Sequence, residues 1–591
     1  MNSILPQKVK GHGLGRKPAR STSNRAGFLT LSLLVAFALF GCSTAHYRKS
    51  ADRETAQVIA EKTPAVPNMD PRFTIEQTNA LSLDGLPDVG SVEPYLGPAG
   101  EVEKGARVIS LEKALEIAVN HSRLYQTRKE QLYLQALDLT LSRHQFTPLF
   151  SSGTRARYDV NTEQAVKVGI DALTGQPKAE LSEALVEQHR VSGNGSIDSS
   201  WLIRDVGRIS AAFTTDFFRF LTGDPRALTS SQVGATFLRP LWRDAGFKAA
   251  MENLTLAERN LLYQLREFTL FRKTFTVQIA SEYYGVLQDR DAVRNSFLSL
   301  QSAKKSAERG RALAQEGRTT QADLGRLEQQ ELARESAWVN AIRNYKQGLD
   351  NFKIQLGLST DASVVLDDKE LEQLKIVHPD MNAEEATQIA VSTRLDLLNV
   401  REQHEDTARG IKLAANRLKP QVDLVAQAGF NSKQEHSTKF PVPDLDRYRW
   451  NAGLNVDLPL ERKLERNAYR RALILHEQSA RQLEQTEDQI KLQVRNAWRT
   501  LDQAKRSYEI SEVALKLSQR RVEEQDLLAE LGRAKAQDQV DAQNDLFSQK
   551  TQLTQALVSH TIARLQFWNS MGILYVKENG KWEEIKNAKS D

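Results

Sequence analysis

Hydrophobic and polar residues alternate strictly along two short stretches in the second half of the chain, and this alternation predicts two β-strands. The stretch from Tyr448 to Leu458 places apolar side chains on one face and charged or amide side chains on the other. The stretch after Pro420 alternates likewise, with Val422, Leu424, Ala426, Ala428 and Phe430 on its apolar face. Such strands either cover a soluble core or line a barrel that faces lipid outside and water inside. Each has about the ten residues that a tilted strand needs to cross a bilayer.

Elsewhere the apolar positions recur every three to four residues, which predicts helices. A first helix is predicted from Leu111 to about Phe146, where Pro148 ends it. Its predicted apolar side carries Leu111, Leu115, Ala118, Val119 and Leu124.

Two further stretches, 241–316 and 460–531, contain no proline and are rich in helix-forming residues. We expect each to form a very long amphipathic helix that ends at a hairpin tip, Gly317 or Gly532. Return helices then run to Gly357 and Gly572. Helices of this length cannot bury their apolar stripes alone, so coiled-coil packing against other helices is expected.

The predicted elements occur twice in the same order. Ala114 and Ala118 recur as Ala386 and Ala390, and Pro148 recurs as Pro420, at one constant offset. Gly317-Arg318 is followed by Asp323 at the same distance as Gly532-Arg533 is followed by Asp538. A period this long indicates two copies of one fold unit rather than a solenoid of short repeats.

The copies differ mainly in segment 150–233 of the first one, which is much longer than its counterpart before Gly453. Alternation from Ile209 to Phe217 predicts a strand there, and another strand is predicted to end near Trp201. Gly193-Asn194-Gly195 resembles a turn. The segment is either an extra hairpin above the barrel, outside the cell, or a set of extra barrel strands.

The N-terminus has the pattern of a targeting segment, in which basic residues precede an apolar run from Ala26 to Phe40. Cys42, the only cysteine, follows this run and resembles the lipidated cysteine of bacterial lipoproteins, although Phe40 is an unusual residue for that motif. The alternative is an ordinary signal peptide cleaved nearby. With lipidation, residues 1–41 form the signal peptide, and 42–105 form an extended arm anchored by fatty acyl groups such as palmitate. This arm contains six prolines, Pro64, Pro67, Pro71, Pro87, Pro94 and Pro98.

Charge and composition exclude several classes of function. The 80 basic and 75 acidic side chains are interspersed and leave a net charge of only +5, so no nucleic-acid-binding surface is predicted. No catalytic constellation, phosphate-binding loop or metal-ligand spacing is present in the sequence. The ten histidines, His436 among them, are scattered, and we expect each to be a solvated or capped surface residue. Neither a cofactor nor a metal is predicted.

Several short sequences together resemble the TolC family of outer-membrane efflux proteins over roughly residues 105–575. They are Leu111–Val119, Phe237–Trp242, Glu282–Tyr284, the tips at Gly317 and Gly532, and the Leu-Gly-Leu that ends at Leu358. The resemblance implies a mainly α-helical homotrimer. Each chain would give four or more strands to a shared transmembrane β-barrel, which has twelve strands in the family. Long helical hairpins would form a periplasmic α-barrel tunnel.

The resemblance also divides the chain. It implies a first repeat over 106–358, an equatorial linker over 359–380, a second repeat over 381–573 and a C-terminal tail over 574–591. Strand number supports an oligomer independently, because four strands are too few to close a membrane barrel. The number of chains is implied only by the resemblance.

Asp538 and Asp541 are the best candidates for a gate. Three residues apart on a helix, they share one face, and their positions match the aspartates of the family's periplasmic constriction. Three symmetric copies would form acidic rings that attract cations. The alternative is that an aspartate near a helix N-terminus only complements the helix dipole. The family's basic and aromatic constriction residues align with Ala534 and Ala529, so the family's closed-state bonding would require a substitute here, for which Lys535 and Arg533 are the candidates.

The tips, Gly317-Arg318 and Gly532-Arg533, resemble the ends that meet the family's periplasmic adaptor. The function implied is a lipid-anchored outer-membrane duct that carries no catalytic activity. It would extend into the periplasm and receive substrate from an inner-membrane pump through the adaptor, as in tripartite efflux or type I secretion. A non-transporting coiled-coil lipoprotein of the periplasm is the first rival, and an enzyme is the second. The sequence does not identify the substrate.

Overall fold

The computed structural model describes residues 44–71, 73–76, 83–170, 175–222, 227–433, 441–531, 533 and 535–583. Its helices are α1 (Thr44–Lys62), α2 (Leu111–His121), α3 (Arg123–His144), α4 (Lys248–Gln315), α5 (Gln321–Leu356), α6 (Lys369–Glu372), α7 (Ala383–Thr393), α8 (Leu395–Arg417), α9 (Lys463–Glu530) and α10 (Ala536–Ser570). Its strands are β1 (Arg107–Ile109), β2 (Leu149–Ile170), β3 (Pro177–Ile203), β4 (Gly207–Phe220), β5 (Ala227–Pro240), β6 (Val364–Leu366), β7 (Gln421–Asn431) and β8 (Tyr448–Asp457).

The two halves of the chain contain helices of nearly equal lengths in the same order. The long helices α4 and α9 each have 68 residues, and the return helices α5 and α10 have 36 and 35. At 1.5 Å per residue a helix of 68 residues extends about 100 Å. Both long helices and both return helices lie where the sequence predicts them.

The first predicted helix is interrupted. Ser122 has extended backbone (φ −62°, ψ 126°), so α2 ends at His121 and α3 starts anew at Arg123. The interruption changes the direction of the apolar side, and Leu124 is exposed rather than aligned with Leu111 and Leu115 as expected. Arg394 makes the equivalent break between α7 and α8.

Six strands form one antiparallel sheet in the order β2-β3-β4-β5-β7-β8. The strands before Pro240 and after Pro420 lie close to their predicted positions. The turn expected at Gly193-Asn194-Gly195 is wrong, because these residues lie in the middle of β3. Gly193 and Gly195 stand opposite Phe217 and Thr215 of β4. A Cβ at Gly195 would lie 3.1 Å from the hydroxyl of Thr215, so only this second glycine leaves needed room for its neighbour.

Residues 42–105 were expected to be extended, and this is wrong at their start. Thr44–Lys62 is helical, and the six prolines of the segment all follow it. The chain divides into two compact units, residues 1–57 and 58–591. Within the second unit, Val66, Met69 and Leu96 are buried in the main hydrophobic core, so this part of the segment is packed.

The core of the second unit centres on α4. Twenty-five residues of this helix are buried, whereas α9, of equal length, buries only four. Helix α4 therefore lies inside the helical layer, and α9 lies at its edge. Among the residues that the structure describes, no helix is both long enough and apolar enough to span a membrane.

One histidine contradicts the expectation of solvated side chains. His560 of α10 is fully buried, and neither ring nitrogen has a hydrogen-bond partner among the described residues. Its ring lies 5.9 Å from that of His378. Burial, together with the nearby His378, Arg564 and Lys505, lowers the pKa of His560 to about 4.

The end of α5 provides a test of backbone conformation. Gly357 has φ +84°, and a Cβ added there would lie 2.1 Å from the carbonyl oxygen of His121. Gly357→Ala should therefore destabilise the fold by about 2–4 kcal/mol through left-handed backbone strain and this clash. The matched control is Gly325→Ala in the same helix, where a Cβ meets nothing within 4 Å and should stabilise by about 1 kcal/mol. Equal thermal midpoints for the two variants in detergent would contradict the assignment.

Buried His560 should make stability depend on pH. Its pKa is about 4 in the fold, whereas the ordinary value for histidine is 6.5, so the unfolded chain binds more protons between these values. The free energy of unfolding should then decrease as pH falls from 6.5 towards 4, by roughly 2 kcal/mol. His560→Leu should flatten this dependence in thermal melts recorded across the range. Exposed His144 gives the control, His144→Leu, and an unchanged slope in the His560 variant would refute the origin proposed here.

Candidate functional site

Across strands β3, β4, β5, β7 and β8, neighbouring rows of the sheet separate apolar from polar side chains. One row of paired residues runs across five strands as Ile197, Phe213, Val233, Phe430 and Tyr448. The row next to it, one residue along each strand, reads Ser196, Thr214, Gln232 and Asn431. Because neighbouring positions on a strand point to opposite faces, the sheet has one apolar face and one polar face.

The apolar face is uncovered. Tyr448 is 67% exposed, Trp450 is 72% exposed and Leu454 is 60% exposed. This observation bears on the alternatives that the sequence left open, because no core of this chain lies against these side chains. An apolar surface of this size requires lipid or another protein to cover it.

The polar face carries pairs of charged and amide groups. Arg190 of β3 lies 3.3 Å from the carboxylate of Asp159 on β2, and Asn194 donates to Asp216 on β4 at 2.5 Å. These pairs connect adjacent strands without an apolar contact, as expected for side chains that line a water-filled space.

The two helical tips are closed by the same backbone bond. The backbone N–H of Arg318 donates to Leu313 at 2.8 Å, and that of Arg533 donates to Leu528 at 2.8 Å. Gly317 supplies the left-handed residue of the first tip, with φ +71°. Gly532 lies outside the described residues. Both bonds satisfy carbonyls at a helix C-terminus, so the capping role of the tips is present whatever else they contact.

Ion pairs between α4 and α5 also stabilise the first tip. Arg311 of α4 donates to Glu328 at 3.0 Å and to Glu331 at 2.9 Å, both on α5. Thr320 caps α5 by accepting from the backbone N–H of Asp323. The side chain of Arg318 remains exposed at the end of the hairpin, 3.6 Å from Glu316.

Asp538 and Asp541 lie in the first two turns of α10. Asp538 is exposed, and half-buried Asp541 accepts a hydrogen bond from Gln537 at 2.9 Å. A third aspartate, Asp545, continues the same helix face and pairs with Arg521 of α9. The structure thus places both predicted residues on one acidic face.

Sequence reasoning missed the basic residues near this face. Arg521 holds α9 against α10 through Asp545, and Arg309 of α4 donates to the carbonyl oxygen of Ala529 at 3.0 Å. Ala529 aligns with a constriction residue of the family, but here its backbone rather than its side chain makes the contact. These partners lie on different helices and have no local sequence signal.

A buried ionic cluster fixes the helices above the tips. Arg290 of α4 lies 3.3 Å from Glu103, which also accepts from the hydroxyl of Tyr345 on α5 at 2.9 Å. Burial raises the pKa of Glu103, and the charge of Arg290 opposes this rise. Because removal of one partner would leave a buried charge unpaired, the cluster holds α4, α5 and the segment before β1 in one arrangement.

Two predicted features cannot be placed. Cys42 and its signal segment lie outside the described residues, as does His436. Within the described ranges, no group of three or more His, Cys, Asp or Glu side chains could hold a metal ion.

Comparisons with known proteins give a clear result for the fold. No protein-family model matches the sequence, and no curated protein matches it. Among solved structures, the open outer-membrane channel MtrE of Neisseria gonorrhoeae is 12% identical, with a TM-score of 0.57 over 86% of this chain and 98% of its own. The outer-membrane channel OprN is 13% identical, with a TM-score of 0.56 over 86% and 99%. The Campylobacter jejuni channel CmeC is 12% identical, with a TM-score of 0.55 over 85% and 94%.

All three are outer-membrane channels rather than enzymes. The matches include almost the whole length of each of these proteins, from the sheet to the long helices. The chain therefore has the fold of the TolC-like outer-membrane efflux channels.

Proposed function

We propose that this protein is the outer-membrane exit duct of an efflux or type I secretion system. The observation that carries the proposal is the six-stranded sheet, which has an exposed apolar face, a polar face and two unpaired edges at β2 and β8. Unpaired backbone groups are not tolerated in the hydrocarbon of a membrane. The edges must therefore pair with other chains, and closure would enclose the polar face as an aqueous passage.

The edge helix α9 supports closure by copies of the same chain. Its buried residues, Ile490, Val494, Leu501 and Ala504, face the other helices of the chain. A second set, Ile474, Leu492, Ile510, Val513 and Leu517, is exposed. At about 100° per residue, the second set lies about 140–200° around the helix from the first. Apolar stripes on opposite sides are what a helix in a closed ring requires, because it has a neighbour on each side.

The other edge of the helical layer, formed by α3 and α5, also carries exposed apolar residues. Exposed Leu134 and Leu141 of α3 lie opposite the buried side of that helix. Exposed Leu332 and Val339 of α5 lie about 100° around that helix from its buried side. Helices α3 and α5 contact α4 rather than α9. One edge of a chain against the other edge of the next is a head-to-tail contact, which closes into a ring. The TolC resemblance sets the number of chains at three.

The proposed duct also assigns roles to the N-terminal segment and to the helical tips. Residues 1–41 would direct export, and lipidated Cys42 would anchor the chain to the outer membrane. The tips around Gly317-Arg318 and Gly532-Arg533 would meet a periplasmic adaptor, which connects to an inner-membrane pump. That pump supplies the energy, and the duct performs no chemistry.

Asp538 and Asp541 are proposed to form the gate. On the ring described above, their shared face would bring acidic side chains from every chain together near the tips. Carboxylates close together attract cations, and their mutual repulsion acts on the helices that form the opening. Arg521 and Arg309 would position the hairpin, since they join its helices through Asp545 and Ala529.

Polar substitutions in the second stripe of α9 should disrupt assembly. Ile510→Gln with Leu517→Gln removes apolar area that the neighbouring chain would bury, and should weaken association by about 3 kcal/mol or more. The mass of the protein in mild detergent, measured by light scattering, should fall from trimer to monomer. Lys516→Gln, on an adjacent face of the helix, is the control and should leave the trimer intact. A monomeric mass for the wild-type protein would contradict the proposed duct and favour a structural lipoprotein.

Neutralising the gate should change cation binding. Asp538→Asn with Asp541→Asn should weaken block of the channel by divalent cations in planar bilayers, by about tenfold, because the acidic rings disappear. Asp323→Asn is the matched control, since Asp323 has the same position after the other tip. If both changes alter block equally, or neither does, the aspartates only complement the helix dipole.

A further inference from the structure

The sheet has two more strands than the resemblance implies. Strands β2 and β5 follow and precede the same kinds of helix as β7 and β8 do, which gives the four strands of a TolC-like chain. Strands β3 and β4 lie between β2 and β5 in both sequence and sheet order. The first repeat therefore contains an inserted hairpin, and the question is whether it belongs to the membrane wall.

Hydrogen-bond register supports a place in the wall. Strand β4 pairs with β3 from Gly207 to Phe220, along its whole length, and with β5 from Arg208 to Arg219. Strand β2 is joined to the rest of the sheet through this hairpin, since it pairs with β3. The 14 residues of β4 exceed the number that a tilted strand needs to cross a bilayer.

The side chains of the inserted hairpin follow the same two faces as the rest of the sheet. Ile209, Ala211 and Phe213 of β4 lie on the apolar face, aligned with Phe237, Ala235 and Val233 of β5. Ser210 and Thr214 lie on the polar face, opposite Thr236 and Gln232. A hairpin above the membrane would have water on both faces and no need for this separation.

The link between the two strands is short and packed. Only residues 204–206 separate β3 from β4, at the end of the sheet where the helices attach. A Cβ at Gly207 would lie 2.5 Å from the ring of Phe237, so this turn is held closely against β5. Links at the opposite end, such as 432–447, are longer. Short turns on the periplasmic side and longer loops outside are typical of outer-membrane barrels.

We propose that the β3–β4 hairpin widens the barrel. This inference rests on the proposed function, in which three chains close the sheet. Six strands from each chain give eighteen rather than twelve strands. With strands about 4.8 Å apart and tilted about 40°, the backbone cylinder has a radius of about 18 Å, against about 12 Å for twelve. The duct thus admits bulky solutes, of the width of a polypeptide segment with secondary structure, at its outer end.

Cysteine substitutions at small residues test the position of the hairpin without disturbing packing. Ala211→Cys and Ser199→Cys lie on the apolar face of β4 and β3, and Ser210→Cys and Ser200→Cys lie on the polar face. Each is labelled with a fluorophore in liposomes that contain nitroxide lipids, with the unaltered protein as background for Cys42. We expect quenching at least twofold stronger for the apolar-face pair, and faster labelling of the polar-face pair by a charged maleimide. Equal quenching at all four positions would overturn the proposal.

Strand β8 separates this failure from a failure of the duct itself. Ala452→Cys and Asn451→Cys occupy the apolar and polar faces of a strand that any TolC-like barrel contains. If β8 alternates and the hairpin does not, the barrel has twelve strands and the widening is wrong. If neither alternates, the proposed function fails.

Pore size gives an independent measurement. Polyethylene glycol of about 10 Å hydrodynamic radius, added only on the outer side of a planar bilayer, enters an eighteen-strand mouth but not a twelve-strand one. Entry lowers the conductance of the channel, whatever the state of the gate at the other end. Conductance that stays constant for this polymer and falls only for smaller ones would overturn the wide bore.

Discussion

The unpaired edges of the sheet are the constraint on which the rest of this structure depends. A strand edge exposes a row of backbone donors and acceptors, and hydrocarbon offers them no partners. The apolar face, with Trp450 and Leu454 exposed, belongs in lipid, yet β2 and β8 each leave one edge open. A single chain cannot satisfy both conditions. The sheet is therefore stable in a membrane only as part of a closed assembly.

The helical layer also has an open edge, but there the groups that lack a partner are apolar side chains rather than backbone donors and acceptors. Helix α4 satisfies its apolar positions within the chain, whereas α9 has a second stripe with no partner in it. Strand β8 leads into α9, and α3 leads into β2, so the open edges of the sheet and of the helical layer belong to connected elements. One contact between neighbouring chains would cover both, and this makes sheet closure and tunnel closure a single event.

Local patterns in the sequence predicted much of this fold. Proline-free stretches located α4 and α9, and strict alternation located β7 and β8, because each of these signals depends only on adjacent residues. Ser122 was missed, since its effect is a change of direction that composition does not reveal. The Gly193-Asn194-Gly195 segment was misread as a turn because glycine also occurs inside strands, and at Gly195 a Cβ would lie only 3.1 Å from the hydroxyl of Thr215. The decision between a surface hairpin and sheet strands needed the register, which is a non-local property.

The acidic face of α10 illustrates how far a single chain determines a site. Asp538 and Asp541 could be named from their spacing and from the TolC resemblance. Arg521, which pairs with Asp545 on the same face, and Arg309, which contacts the backbone of Ala529, come from other helices and have no local sequence signal. In the part of the chain that the structure describes, Asp538 is exposed on a single acidic face. Repulsion between like charges, and the attraction of cations that relieves it, requires the faces of several chains to converge. Under the proposed function, any gating chemistry would therefore be a property of the closed ring rather than of one chain.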